Sequence, residues 1–359
     1  MKELKTVPLG FTYAGCFLGA GYVSGQEMWQ FFGSFGNWGY VGFVIAISFF
    51  VALGIMLVRL TQMTGCEEVD YLMVPWDVPW LRKAAGLIMS ALLLSAAVIM
   101  TAGVAALLHQ LFSVPEWLGG LIFAAIVILI AMLGISGMLR AFSALIPILV
   151  GATVVFAVIA FCKYGMHDVF HITKTNTNPM TPNWLIASLT FVFYNLLGGM
   201  AIMAPVGKFV KKQKTVYAGI ALGGIILTGV AFSVLWSLAI YPVATEAELP
   251  MVALASRINA TLGICYGLLM LIAMFCNSLG SLVAVTTYVG QKKPSVMRKK
   301  KLLFPVLGVC IWACSLIGFG DLVGTVYPVF GYISVVYIVG IVVHFVREKK
   351  KEKEKTPEV

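Results

Sequence analysis

Residues 17–36 read FLGAGYVSGQEMWQFFGSFG, and they put a carboxylate where hydrocarbon belongs. Glu27 stands next to Gln26 and just after Gly19, Gly21 and Gly25. Of the fifteen acidic residues it alone lies well inside a long apolar run. An ionisable group at that depth is costly, and its default reading is functional. Three chemistries are open to it: uptake and release of a proton, pairing with a cationic or amine-bearing solute, or gating of an aqueous vestibule. A local role competes with them. Ser24-x-x-Glu27 has the spacing of a capping box, in which Ser24 caps a restarting helix and Glu27 bonds back to the Ser24 amide.

Other polar residues share this depth. Tyr194 and Asn195 immediately precede Leu197, Gly198 and Gly199 in the apolar run FVFYNLLGGMAIMAP. An asparagine there needs a partner, either a solute or a neighbouring helix. Asn277, Ser278 and Ser281 sit together in CNSLGSL. Ser95 and Thr101 read as packing residues, and so do Tyr327 and Tyr332 on either side of Pro328. His167, Asp168 and His171 are too few for a convincing metal site, and the seven scattered cysteines read as small apolar packing residues. No catalytic triad, acid pair, H-E-x-x-H or phosphate-binding loop is present, so the chain does not read as an enzyme.

The elements that must carry these residues are membrane spans. Apolar residues make up 60% of the 359, charged residues 11%, and the mean hydropathy is +0.96. Runs of about twenty apolar residues, enough to cross roughly 30 Å of hydrocarbon, recur along the chain. Ten spans are predicted: 8–35, 38–60, 82–112, 116–137, 140–162, 183–209, 215–241, 262–289, 303–319 and 322–346. Short amphipathic helices are expected at 250–258 and 66–73. With cytoplasmic termini, 22 of the 25 Lys and Arg fall on the cytoplasmic side, leaving Lys163, Lys174 and Arg257 outside. That division follows the positive-inside rule. It accounts for the net charge of +10 through the lipid bilayer, with no nucleic-acid role. No cleavable signal peptide is expected.

Glycines interrupt spans 1 and 6 near their midpoints, at Gly21 and at Gly198–Gly199. Each half of the chain holds five spans, and an odd number makes the repeat inverted: 8–162 and 183–346, with 347–359 a charged cytoplasmic tail on a single domain. Paired breaks in an inverted repeat point to a secondary transporter with its site at the two breaks. Substrate contacts are then expected from Gly19, Ala20, Gly21, Tyr22, Ser24, Gln26, Glu27, Tyr194, Asn195, Gly198 and Gly199. Glycine spacing that merely lets helices pack closely is the competing account.

GAGYVSGQE, following TVPLGFTYAGCFLGAG, resembles the YkvI-like membrane proteins of the amino acid–polyamine–organocation superfamily. Branched-chain amino-acid carriers have a comparable GAGN, with Tyr22 standing here for the asparagine. The resemblance implies an all-α LeuT-type fold and symport of a small organic solute with sodium or a proton. It also implies a coupling-ion site between span 1 and Asn277, Ser278 and Ser281 of span 8, with no other cofactor or metal. Span 5 lacks the midplane lysine that some proton-coupled relatives use, which favours sodium. The runner-up is a ligand sensor of the same fold, like the membrane subunits of spore germinant receptors. A passive channel is a third reading.

Overall fold

The computed structural model describes residues 4–66, 68–76, 78–133, 138–166, 169–292, 295 and 300–355. His167, Asp168, Lys293, Arg298 and Lys299 lie outside that set. The chain begins with α1 (Thr6–Phe17), α2 (Ala20–Ser24) and α3 (Gln26–Phe31). Then come α4 (Asn37–Thr64), α5 (Val69–Met73), α6 (Pro79–Phe112), α7 (Glu116–Leu133) and α8 (Met138–Tyr164). The second half holds α9 (Trp184–Val206), α10 (Gln213–Ile240), α11 (Pro250–Ile258), α12 (Ala260–Lys292), α13 (Lys300–Ser315) and α14 (Phe319–Lys355). Among the described residues, six helices are long and apolar enough to cross a membrane: α4, α6, α8, α10, α12 and α14; α7, α9 and α13 are shorter apolar helices.

Helix ends follow local chemistry. Proline opens α6 and α11, where its missing N–H is no loss. At the end of α4, Gly65 is left-handed at φ 64° and returns its amide to Thr61 O at 2.9 Å. Several expected boundaries move: α4 runs to Thr64, beyond 60, α6 begins at Pro79, before 82, α13 stops at Ser315, before 319, and α14 runs to Lys355, beyond 346. At about 1.5 Å per residue, α14 is longer than a bilayer is thick.

Packing separates two groups of helices. α1, α4, α9 and α10 pack on one another, and α6, α7, α12 and α13 do the same. α14 lies along α9, α4 and α6, while α8 lies mainly along α10. The α1–α10 contact is close because each helix offers glycine to the other's side chains. A Cβ on Gly10 would stand 2.9 Å from Leu222, and one on Gly223 would stand 2.7 Å from Tyr13. Small residues give apolar helices their closest approach where lipid offers no hydrophobic driving force.

One face of the molecule gathers both chain ends. The Leu4 amide donates to Phe209 O at 2.8 Å, Arg59 at the end of α4 pairs with Glu352 of α14 at 3.4 Å, and Gln62 donates to Val210 O. Lys292 pairs there with Asp70 of α5 at 3.2 Å. On the opposite face, Gln30 of α3 donates to Gly320 O at 2.9 Å and Asn178 to Gly324 O at 2.8 Å.

Four cysteines, Cys162, Cys265, Cys310 and Cys314, are exposed rather than packed inside, and all seven are free. These four lie on apolar helices, where hydrocarbon solvates them as well as a core does.

Candidate functional site

The first helix breaks earlier than its sequence midpoint suggests, and twice. At Leu18 the backbone turns to φ −73°, ψ 64°. The Gly19 amide therefore donates to Phe17 O at 2.7 Å instead of reaching four residues back. One turn of helix follows, and Gly25 then takes φ 89°, a left-handed value that side chains disfavour. Leu238 and Met251 close over Gly25, within 2.9 and 3.1 Å of where a Cβ would sit. The two breaks free carbonyls that lipid cannot satisfy. One is met by a residue the sequence did not single out: the Tyr266 hydroxyl of α12 donates to Val23 O at 2.7 Å and lies 3.2 Å from Thr153 of α8. Tyr22 likewise donates to Leu227 O of α10 at 2.8 Å.

The capping box does not form. Gly25, not Ser24, takes the N-cap position of α3, and Ser24 Oγ accepts from the Gln26 amide at 3.3 Å while donating to Gly21 O. Glu27 turns away from Ser24 altogether. Its Oε2 accepts the Tyr194 hydroxyl of α9 at 2.9 Å, and its other oxygen lies over Gly21, where any Cβ would overlap it. The left-handed Gly25 rotates α3 so that Glu27 faces α9. With relative exposures of 5% for Glu27 and 4% for Tyr194, the pair is sealed from water. Rings surround it: Tyr327 of α14 stacks on Tyr194 at 4.3 Å and 8°, and Phe31 and Phe191 each lie 5.7 Å from it. The sequence reading of Tyr327 as packing alone therefore missed its place at the carboxylate. Tyr332 instead donates to Met180 O at 2.5 Å.

The second expected break is absent. α9 is helical throughout Trp184–Val206, including Gly198 and Gly199. Gly199 is a packing glycine: a Cβ there would stand 2.7 Å from Phe17 and 3.6 Å from Cys16. Gly198 is half-buried, with Leu92 at 3.8 Å as its nearest neighbour. Glycine lowers helix propensity by only about 1 kcal/mol relative to alanine, which packing against α1 offsets. Asn195 donates to Phe191 O of its own helix at 3.0 Å, and Ser95 and Thr101 bond back within α6 in the same way.

The expected ion-site oxygens come partly together. Asn277 of α12 stands against the break, but it is the amide nitrogen Nδ2, a donor and not an ion ligand, that lies 3.4 Å from where a Cβ on Gly19 would be. Ser278 Oγ is buried, 1% exposed, with no hydrogen-bond partner, and Ser281 is buried one turn on. A buried hydroxyl without a partner calls for an explanation. Gln26 approaches α14, its Nε2 2.8 Å from the position of a Gly320 Cβ. Among the described residues, no group of three metal-ligating side chains exists.

Above the site, Glu248 accepts from the Gly320 amide at 2.7 Å at the start of α14. Burial pushes its carboxyl above the usual glutamate range; the Gly320 amide pulls the other way, and nearby Glu116 and Asp321 add to the rise.

No family model matches the chain. Two proteins of Bacillus subtilis (strain 168) do. YkvI, an uncharacterized membrane protein, is 23% identical over 330 residues, covering 92% of this chain and 93% of its own. YyaD is 26% identical over 341 residues, covering 94% and 96%. Among solved structures, Mhp1 in an inward-facing conformation matches with TM-score 0.66 at 15% identity, covering 94% of this chain and 76% of its own. A sodium-coupled sialic acid symporter matches at 0.65 and 14%, covering 94% and 79%. MhsT in complex with L-phenylalanine matches at 0.61 and 18%, covering 96% and 89%. The chain is similar to YkvI and YyaD along nearly its whole length, and its fold is that of these structures, the LeuT type. It is a multi-pass membrane protein by its apolar helices, and the sialic acid symporter of this fold is a transporter.

Proposed function

We propose that this chain is a cation-coupled secondary transporter for a small organic solute. Ten spans would form two inverted repeats, 8–162 and 183–346, in the plasma membrane, with both termini and the 347–359 tail cytoplasmic. The paired helix groups suit this reading: α1, α4, α9 and α10 would rock against α6, α7, α12 and α13, while α14 and α8 line the seam.

The observation that carries the proposal is the unwound Leu18–Gly19 backbone facing Asn277, with the unpartnered Ser278 hydroxyl beside it. Hard cations take oxygen ligands. The Leu18 carbonyl at the break, with the side-chain oxygens of Asn277, Ser278 and Ser281, would supply a set suited to sodium; the Gly19 carbonyl already accepts the Tyr22 and Val23 amides at 3.1 and 3.3 Å. Sodium coupling in the sialic acid symporter of similar fold supports the same reading. Bound sodium would hold the break against α12, and solute would occupy the adjoining space beside Gly198.

The test is the melting temperature of the purified full chain in sodium chloride against potassium chloride, for wild type and Ser278→Ala. A ligand at a hundredfold over its Kd stabilises by about 2.7 kcal/mol. Sodium is expected to raise the wild-type Tm and leave Ser278→Ala unmoved. A wild type indifferent to sodium at every pH would remove the sodium site. Proteoliposome counterflow of a solute that shifts Tm then separates carrier from sensor.

A further inference from the structure

We propose that the solute is an organic cation, an ammonium compound held by Glu27 and the rings around it. This rests on the transport reading above, and it names the chemistry of that site.

Charge argues it first. Glu27 is buried, and among the described residues no Lys, Arg or His forms an ion pair with it. A buried carboxylate without a counter-charge is strongly unfavourable. One hydroxyl, from Tyr194, occupies one of its oxygens and leaves the other with lone pairs unused. Glu27 therefore either holds a proton or takes its positive charge from a bound cation.

Position argues it next. In a broken helix, freed amides ordinarily attract an anion. Here the protein supplies that anion itself, since the Glu27 carboxylate lies over Gly21, in the turn just after the break. Two neighbouring amides are also satisfied within the chain, Gly19 by Phe17 O and Gln26 by Ser24 Oγ. A ligand carboxylate brought here would meet the Glu27 carboxylate.

The surroundings argue it last. Tyr194, Tyr327, Phe31 and Phe191 crowd together, and aromatic faces attract cations when water is excluded. One turn along α9, Asn195 and Gly198 are half-buried, and among the described residues the one atom outside its own helix within 4 Å of a Cβ built on Gly198 belongs to Leu92, at 3.8 Å. That gives a solute body room next to the carboxylate.

The experiment uses pairs of probes that differ in charge: choline against 3,3-dimethylbutan-1-ol, and benzylamine against benzyl alcohol. Binding to the purified full chain is read by thermal shift. The ammonium member of at least one pair is expected to raise Tm, with its neutral isostere without effect. Glu27→Gln should abolish the response. Tyr327→Leu should weaken it by about threefold to thirtyfold, and Tyr327→Phe, which keeps the ring, should hold it. A neutral isostere acting as strongly, a Glu27→Gln protein that responds like wild type, or no ammonium response at all overturns the assignment. Counterflow separates this from the transport reading. If the ammonium binds but never exchanges across the bilayer, transport fails and the assignment stands. If phenylacetate or a neutral alcohol exchanges and the ammonium does not, the assignment fails and transport stands.

Discussion

The Tyr194 hydroxyl donates to Glu27 Oε2 at 2.9 Å, joining the second break of the first helix to an unbroken helix from the other half of the chain. Removing the donor leaves a buried acceptor unmatched, at a cost of about 1–3 kcal/mol. Tyr194→Phe is therefore expected to lower Tm by several degrees. Glu27→Gln keeps an acceptor for Tyr194 and should lower it less. Scanning calorimetry of the two variants checks the order.

Gly21 is expected to tolerate no side chain. Its Cβ would overlap the Glu27 carboxylate, so Gly21→Ala must push Glu27 off Tyr194. The expected outcome is a folded protein that has lost its ligand response. Gly151→Ala on α8 is the control, since nothing lies within 4 Å of its Cβ position. There alanine should be neutral or stabilise by up to about 1 kcal/mol.

The two glycines of α9 should behave differently. Gly199→Val presses on Phe17, whereas Gly198→Ala meets only Leu92 at 3.8 Å. Overpacking costs about 1–3 kcal/mol, so Gly199→Val is expected to melt earlier and Gly198→Ala to melt like wild type. Equal behaviour would mean that Gly199 is not held against α1.

Glu248 gives a pH signature. Its carboxyl is raised in the folded protein, chiefly by burial, so the folded state binds its proton more readily than the unfolded chain does. The stability this contributes is present on the acid side and is lost as pH rises through the folded value. Glu248→Gln should flatten that part of the Tm–pH curve, which lies above about pH 4, where free glutamate titrates. An unchanged curve would show that Glu248 is solvated.

Much of this was legible in the sequence. Hydropathy located the six helices that, among the described residues, are long enough to cross a membrane, because bilayer thickness fixes length. Glu27 stood out for its depth alone. What misled was glycine, which marks a break and a close helix contact with the same letter. Gly25 is a true break, fixed by φ 89°, while Gly199 is a contact, fixed by Phe17. Only the backbone tells them apart. The same holds for Ser24-x-x-Glu27, whose spacing suits a cap that Gly25 displaces. Tyr266 and Tyr327 reach the first helix and its carboxylate partner from distant parts of the chain, and nothing in their local sequence announces it.

The glycine-lined seat of α1 on α10 bears on how the chain is made. α1 and the unwound backbone behind it leave the ribosome long before the helix that shelters them, which is synthesised well into the second half of the sequence. Until α10 is inserted, the Leu18 carbonyl at the break and the Glu27 carboxylate lack the shelter that helix gives them. The first span thus has to be held by the translocon or an insertase while the rest follows. Nascent chains that stop short of α10 would be degraded as orphans rather than accumulate as half-built bundles.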